Sequence, residues 1–190
     1  MESTKEKILR VSLSLFARRG YEAVSVSDIA GELGLSKGAL YRHYESKRAI
    51  FEAILHRMEQ RDTELAQAEN VPLAGEQSRA SLHEVIAFSK TMLRYWTQDG
   101  FARDFRRMLT LEQYRDEEHM ALYQQYLGSG PVAYMSAMLS ELGIARSEEL
   151  AQIICGVRHL CYAAYDGSQE PETELQRTEK ILDEIEKEFT

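Results

Sequence analysis

A chain of 190 residues, 44% hydrophobic and with only 3 Pro, can bury a sizeable core and suits helices. No apolar run approaches the ~20 residues of a membrane span, and the polar start MESTKEK is neither a signal nor a transit peptide, so a cytoplasmic protein with no membrane partner is expected. The net charge of −8 argues against nucleic acid until it is divided: residues 1–50 hold nine Lys/Arg against six Asp/Glu, and the rest holds fourteen against twenty-five.

The first predicted helix covers residues 4–19. Ser3 and Glu6 have capping-box spacing, Ile8, Ser12, Leu15 and Phe16 share a face, and Gly20 ends it. Lys5, Lys7 and Arg10 fit either phosphate contacts or a plain solvated face. The stretch VSVSDIAGELGLSKGALYRHYESK, residues 24–47, then reads as two short helices joined by a tight turn, followed by the start of another. Ser25 caps the first of these with acidic Asp28 in its opening turn, and Ile29, Ala30 and Leu33 form its apolar side. Gly34 suits a turn position with φ > 0, and Ala30 is small enough for a close crossing. Ser36 opens the second, with Leu40 and Tyr44 directed inward. Such a crossing leaves Lys37, Gly38, Ala39, Tyr41, Arg42 and His43 on a face able to enter a DNA major groove. An ordinary αα-corner with a polar face has the same spacing.

A fourth helix is expected from residue 46 or 47 towards 68, carrying Ile50, Phe51, Ile54, Leu55, Met58 and Leu65, long enough to serve two domains as a lever. ENVPLAGEQSRA, residues 69–80, reads as a loop. Ser81 with Glu84 opens a helix through Trp96, and a helical region spans 101–127 with a break expected near Leu109 or Thr110. The segment GSGP follows no strand, so it is no phosphate loop. A helix from about 132 to 142 is closed by Gly143, Ser147 is placed as the cap of a helix to about 165, and a last helix follows Pro171.

The last two helices read as a pair. Ile153, Val157, Leu160, Cys161 and Ala164 on one, with Leu175, Thr178, Leu182 and Ile185 on the other, would form a four-helix dimer interface if repeated by a two-fold axis. Packing within one subunit fits the same pattern. The expectation is an all-α protein in which a three-helix helix-turn-helix domain, residues 1–50, is joined by a long helix to a helical ligand-binding and dimerisation domain, residues 51–190.

Gly20 to Ala30, Leu33 to Tyr41, His43, Tyr44 and Lys47 together resemble the DNA-binding module of tetracycline-repressor-like (TetR/AcrR) transcriptional regulators, over roughly residues 5–55. Matched position by position, the resemblance implies that Tyr41 and Lys47 contact phosphates, with Ser27 and His43 also at the backbone, and that Tyr44 packs into the small core. Ser36, Lys37, Gly38, Ala39 and Arg42 complete the expected DNA set. Lys37 and Arg42 are candidates for base edges, Arg42 equally for a phosphate, while Gly38 and Ala39 can lie against the groove. The resemblance further implies a homodimer on double-stranded operator DNA and a small, often lipophilic effector whose binding most commonly relieves repression.

Between residues 82 and 142, Met92, Tyr95, Trp96, Phe105, Met108, Tyr114, Tyr123, Tyr126, Tyr134 and Met138 supply large, adaptable side chains for an effector cavity, or equally for a core. No H-E-x-x-H, Ser-centred elbow or nucleotide loop in a strand–turn–helix setting occurs, so neither an enzyme nor a cofactor is expected. Cys155, His159 and Cys161 are the one cluster of metal-ligand types, but Cys161 lies well around the helix from the other two, so no metal is expected. A helical protein–protein adaptor and a DNA-binding dimer without an effector are the rival readings.

Overall fold

The computed structural model describes residues 3–68 and 81–189, so the loop expected at 69–80 lies outside the described residues. The described residues form ten α-helices: α1 (Thr4–Arg19), α2 (Val26–Glu32), α3 (Lys37–Tyr41), α4 (Lys47–Ala68), α5 (Leu82–Gln98), α6 (Gly100–Glu112), α7 (Glu117–Tyr126), α8 (Ser129–Glu141), α9 (Ser147–Gly167) and α10 (Pro171–Phe189).

Side-chain caps start several of them. Ser25 with Asp28 and Ser81 with Glu84 form full capping boxes, so each start satisfies two backbone N–H groups that the helix leaves open. At α1 only half of the box forms: Ser3 Oγ accepts from Glu6 N at 3.2 Å, while the Glu6 carboxylate meets Arg57 Nε on α4 at 3.0 Å. Ser147 does not cap α9. It is the first helical residue, and Arg146 stands at the cap without a side-chain capping bond, its guanidinium meeting Glu149 instead. The break between the sixth and seventh helices falls at 113–116, later than Leu109 or Thr110, because Asp116 Oδ1 accepts from His119 N at 2.9 Å and starts α7. The eighth helix opens at Ser129, ahead of the expected 132, with Pro131 inside its first turn, where a missing N–H costs nothing.

The chain divides into two compact units, Met1–Ala66 with Gly100–Leu122 and Gln67–Asp99 with Tyr123–Thr190. The boundary expected near residue 50 falls within α4, and the unit that carries the helix-turn-helix takes in α6 and the first part of α7. In this unit α1 packs on α6, and Ile8, Leu13, Phe16, Ile29, Leu40, Ile50, Phe51 and Ile54 are buried. The second unit packs α5, α8, α9 and α10 about a core that includes Val85, Ile86, Met135, Leu139, Leu150, Ile154 and Leu182.

Candidate functional site

α2 ends in a left-handed turn at Gly34 (φ 65), with Leu35 N donating to Ala30 O at 2.9 Å and Gly34 N to Gly31 O at 3.1 Å. These two bonds satisfy carbonyls at the end of α2 and fix the chain reversal, a geometry that strains any residue with a Cβ. Ser36 Oγ then caps α3 through Ala39 N at 3.1 Å. Leu40 is fully buried and anchors α3, so the opposite face is turned to water.

The residues expected to meet DNA lie on α2, on and around α3, and at the start of α4. Ser27, Ser36, Lys37, Gly38, Tyr41 and Arg42 are exposed, while Ala39, His43 and Lys47 are half-buried. Lys37 Nζ lies 5.9 Å from the centre of the Tyr41 ring, and Arg42 has no hydrogen-bond or ion-pair partner among the described residues. A Cβ added at Gly38 would meet nothing within 4 Å, so a nucleic-acid backbone can approach the main chain there. Tyr44 is half-buried, and burial pushes its phenol pKa up.

Lys47 is more constrained than its neighbours. Its ammonium donates to Tyr21 O at 2.8 Å and stands 4.2 Å from the centre of the Tyr21 ring, so it already braces the helix-turn-helix from within. Tyr21 is the hub of this brace. Its backbone N–H donates to Glu112 Oε1 at 2.8 Å, and its ring meets Phe16 and Phe51 edge-on at 5.1 and 5.2 Å. Gly20 makes the approach possible, since its φ is 81 and a Cβ there would lie 3.0 Å from the same carboxylate oxygen. Around this hub Arg115 binds Glu22, and Arg48 grips Glu118 through two bonds, one of 2.9 Å. Ion pairing and hydrogen bonding hold the Glu22 and Glu118 carboxyls below the usual range, with the Arg115 and Arg48 guanidiniums as the leading causes. Sequence reasoning missed this clamp; it joins residues far apart in the chain, and only the acidic Glu112 inside an amphipathic stretch hinted at it.

The effector candidates are divided between the two units. Phe105, Met108 and Tyr114 belong to the first unit, and Met92, Tyr95, Trp96, Tyr123, Tyr126, Tyr134 and Met138 to the second. Tyr114 is 84% exposed and walls nothing, whereas Phe105, Met108 and Met138 are buried core residues. In the second unit Trp96 meets Tyr126 at 6.5 Å, and His159 lies between Tyr123 and Tyr162 at 6.3 and 6.1 Å. A groove of about 770 Å3 between α8 and α9 is lined instead by small residues, among them Ser129, Ala133, Ser136, Ala137 and Ser140.

Of the residues expected at a dimer interface, Cys161, Leu175, Thr178 and Leu182 are buried inside the subunit. α10 has one apolar stripe, and its own α5 and α9 occupy it. Val157, Ala164 and Ile185 are half-buried. What remains in water is Ile153 (43% exposed) and Leu160 (72%) on α9, with Ile181 (43%) on α10.

Residues 8–54 match the family described as "Bacterial regulatory proteins, tetR family". The uncharacterised HTH-type transcriptional regulator YerO of Bacillus subtilis is 46% identical over 50 residues, which cover 26% of this chain and 17% of that protein. The HTH-type negative transcriptional regulator IcaR of the biofilm operon icaADBC in Staphylococcus aureus is 38% identical over 48 residues, covering 25% and 26%. The matched stretch thus spans about a quarter or less of these relatives. A solved TetR/AcrR-family regulator from Aquifex aeolicus covers 96% of this chain and 99% of its own at a TM-score of 0.70 and 22% identity, which is a likeness of fold.

Proposed function

We propose that this chain, whose residues 8–54 match the tetR family of bacterial regulatory proteins, acts in the cytoplasm as a homodimeric repressor, released from operator DNA by a small, mostly lipophilic or aromatic effector. The observation that carries this reading is the exposed face of α3, where bare Gly38 is flanked by Lys37, Tyr41 and unpaired Arg42 on a helix fixed by the Gly34 turn. Lys37 and Arg42 reach base edges or phosphates, and Tyr41, Ser27 and His43 hold the backbone. Ser36 and Ala39 lie where α3 meets the groove. Lys47 adds its remaining N–H and the start of α4.

Two copies paired through Ile153, Leu160 and Ile181, with the small Gly156 and Ala163 beside them on α9, would present two α3 helices to successive turns of the duplex. An effector held among the aromatic residues of the second unit acts on the chain where it enters α6 at Gly100 and where it leaves the first unit at Leu122. Between those points lie Glu112, Arg115 and Glu118, the residues that clamp Tyr21, Glu22 and Arg48. A shift there changes the spacing of the α3 helices, and effector and operator weaken each other's binding by the same factor.

The test is a salt titration of binding to the duplex DNA flanking this protein's own gene, beside Lys37→Ala and Arg42→Ala. Wild type should lose affinity steeply with salt, and a variant that removes a phosphate contact should lower the slope of log K against log salt by about 1. Failure to bind that DNA and a random genomic library alike would replace the repressor with a helical adaptor.

A further inference from the structure

Arg158, on α9, is only 7% exposed, yet it faces no carboxylate among the described residues. Its Nε is buried without a hydrogen-bond partner, and its Nη2 reaches only the phenol oxygen of Tyr162, one turn further along, at 3.5 Å. Tyr162 is itself 6% exposed. Three other cations of this unit do have carboxylate partners: Lys90 and Arg94 meet Asp183 and Glu179, and Arg177 meets Glu174. A guanidinium does not shed its proton at any physiological pH, so it cannot escape the cost of burial by becoming neutral. Burying it without an anion forfeits hydration and gains nothing in return. Its planar fork of N–H donors matches a carboxylate two-to-two.

We propose that Arg158 and Tyr162 form an anion subsite in the second unit, and that the effector is an organic acid, an apolar body bearing one carboxylate. One fixed positive charge and one neutral hydroxyl suit a monoanion. The aromatic surroundings, with His159 between Tyr123 and Tyr162, suit an apolar remainder. Arg158 Nε and the fork nitrogens donate to the carboxylate oxygens, and Tyr162 turns its O–H to the same group. This deepens the effector reading and rests on the second unit being the effector-binding part.

The test uses the full-length protein without DNA. Thermal midpoints are measured at constant ionic strength with benzoate, phenylacetate and octanoate, each against its uncharged counterpart, benzamide, phenylacetamide and 1-octanol. At least one acid should raise the wild-type midpoint above its counterpart by about 3 °C or more, the shift expected near tenfold its Kd. Arg158→Met should abolish that difference while keeping or raising the ligand-free midpoint, and Tyr162→Phe should reduce it. If no acid outperforms its counterpart on wild type, or if Arg158→Met keeps the difference, the proposal is overturned. A ligand-free Arg158→Met midpoint lower by more than about 4 °C would also overturn it, since the guanidinium would then be satisfied in the empty protein. DNA binding is read separately, so an acid preference without operator binding would sink the repressor and leave the subsite standing.

Discussion

In the first unit the buried N–H of Tyr21 is answered by a glutamate 91 residues along the chain, while in the second the polar pairs between α5 and α10 stand at the surface. His83, Lys90, Arg94 and Gln98 on α5 meet Glu186, Asp183, Glu179 and Glu172 on α10, one rising as the other falls. The ladder fixes the register of two antiparallel helices but adds little stability, because water screens each pair. Glu112, 8% exposed, occupies a place where losing the acceptor strands a backbone donor away from water. The first unit therefore depends on a few interior polar groups to orient the helix-turn-helix, and the second on apolar packing.

The largest effect should come from the apolar side of this comparison. Leu182→Ala opens a cavity at a fully buried site and should cost about 2–5 kcal/mol in urea denaturation followed by Trp96 fluorescence. Glu112→Ala should cost about 1–3 kcal/mol by circular dichroism and, on the proposed function, weaken operator binding although the exposed face of α3 is untouched. Glu112→Gln keeps an acceptor oxygen and should lose less. If Glu112→Ala were neutral, the contrast between the two units would collapse.

Asp62 on α4 sharpens the comparison from within the first unit, because burial pushes its carboxyl up to about 6. Its folded pKa is raised, so its contribution is most favourable below the ordinary aspartate range and is lost as pH rises towards 6. Asp62→Asn should therefore stabilise the protein by about 1–2 kcal/mol at pH 7 and remove that part of the pH dependence. Asp116 and Glu118 have the opposite sign: His119 and Arg48 respectively hold their carboxyls low. Their stabilisation is complete above the ordinary carboxylate range and fades as pH falls through the depressed values, below about 4, which an acid titration of helicity would register. Smallest of all, Arg94→Ala should cost about 0–1 kcal/mol, less still in high salt. A larger loss would mean that the surface ladder carries load.

Local chemistry was legible in the sequence. Ser25 with Asp28, Ser81 with Glu84 and Gly34 act within a few residues, so their spacing alone locates the helix starts and the turn, and with them the exposed face of α3. Pairings across the chain were not. Leu175, Thr178 and Leu182 form a stripe at helical spacing, but such a stripe says only that something covers it, and here the subunit's own helices do. Arg158 reads in sequence as one more helical cation; only the fold shows it enclosed.

The route of the chain through the first unit bears on how this protein is made. Residues 100–122 return to close that unit after an excursion through α5. A helix-turn-helix fragment cut at residue 66 would bare the side of α1 that α6 covers and leave Tyr21 N–H without its acceptor. On the ribosome, the first half of the helix-turn-helix emerges long before Glu112 does. At ~5–20 residues per second, the module waits on the order of several seconds for the segment that completes it. A prematurely terminated chain would then carry the whole exposed face of α3 and still lack the segment that completes its unit.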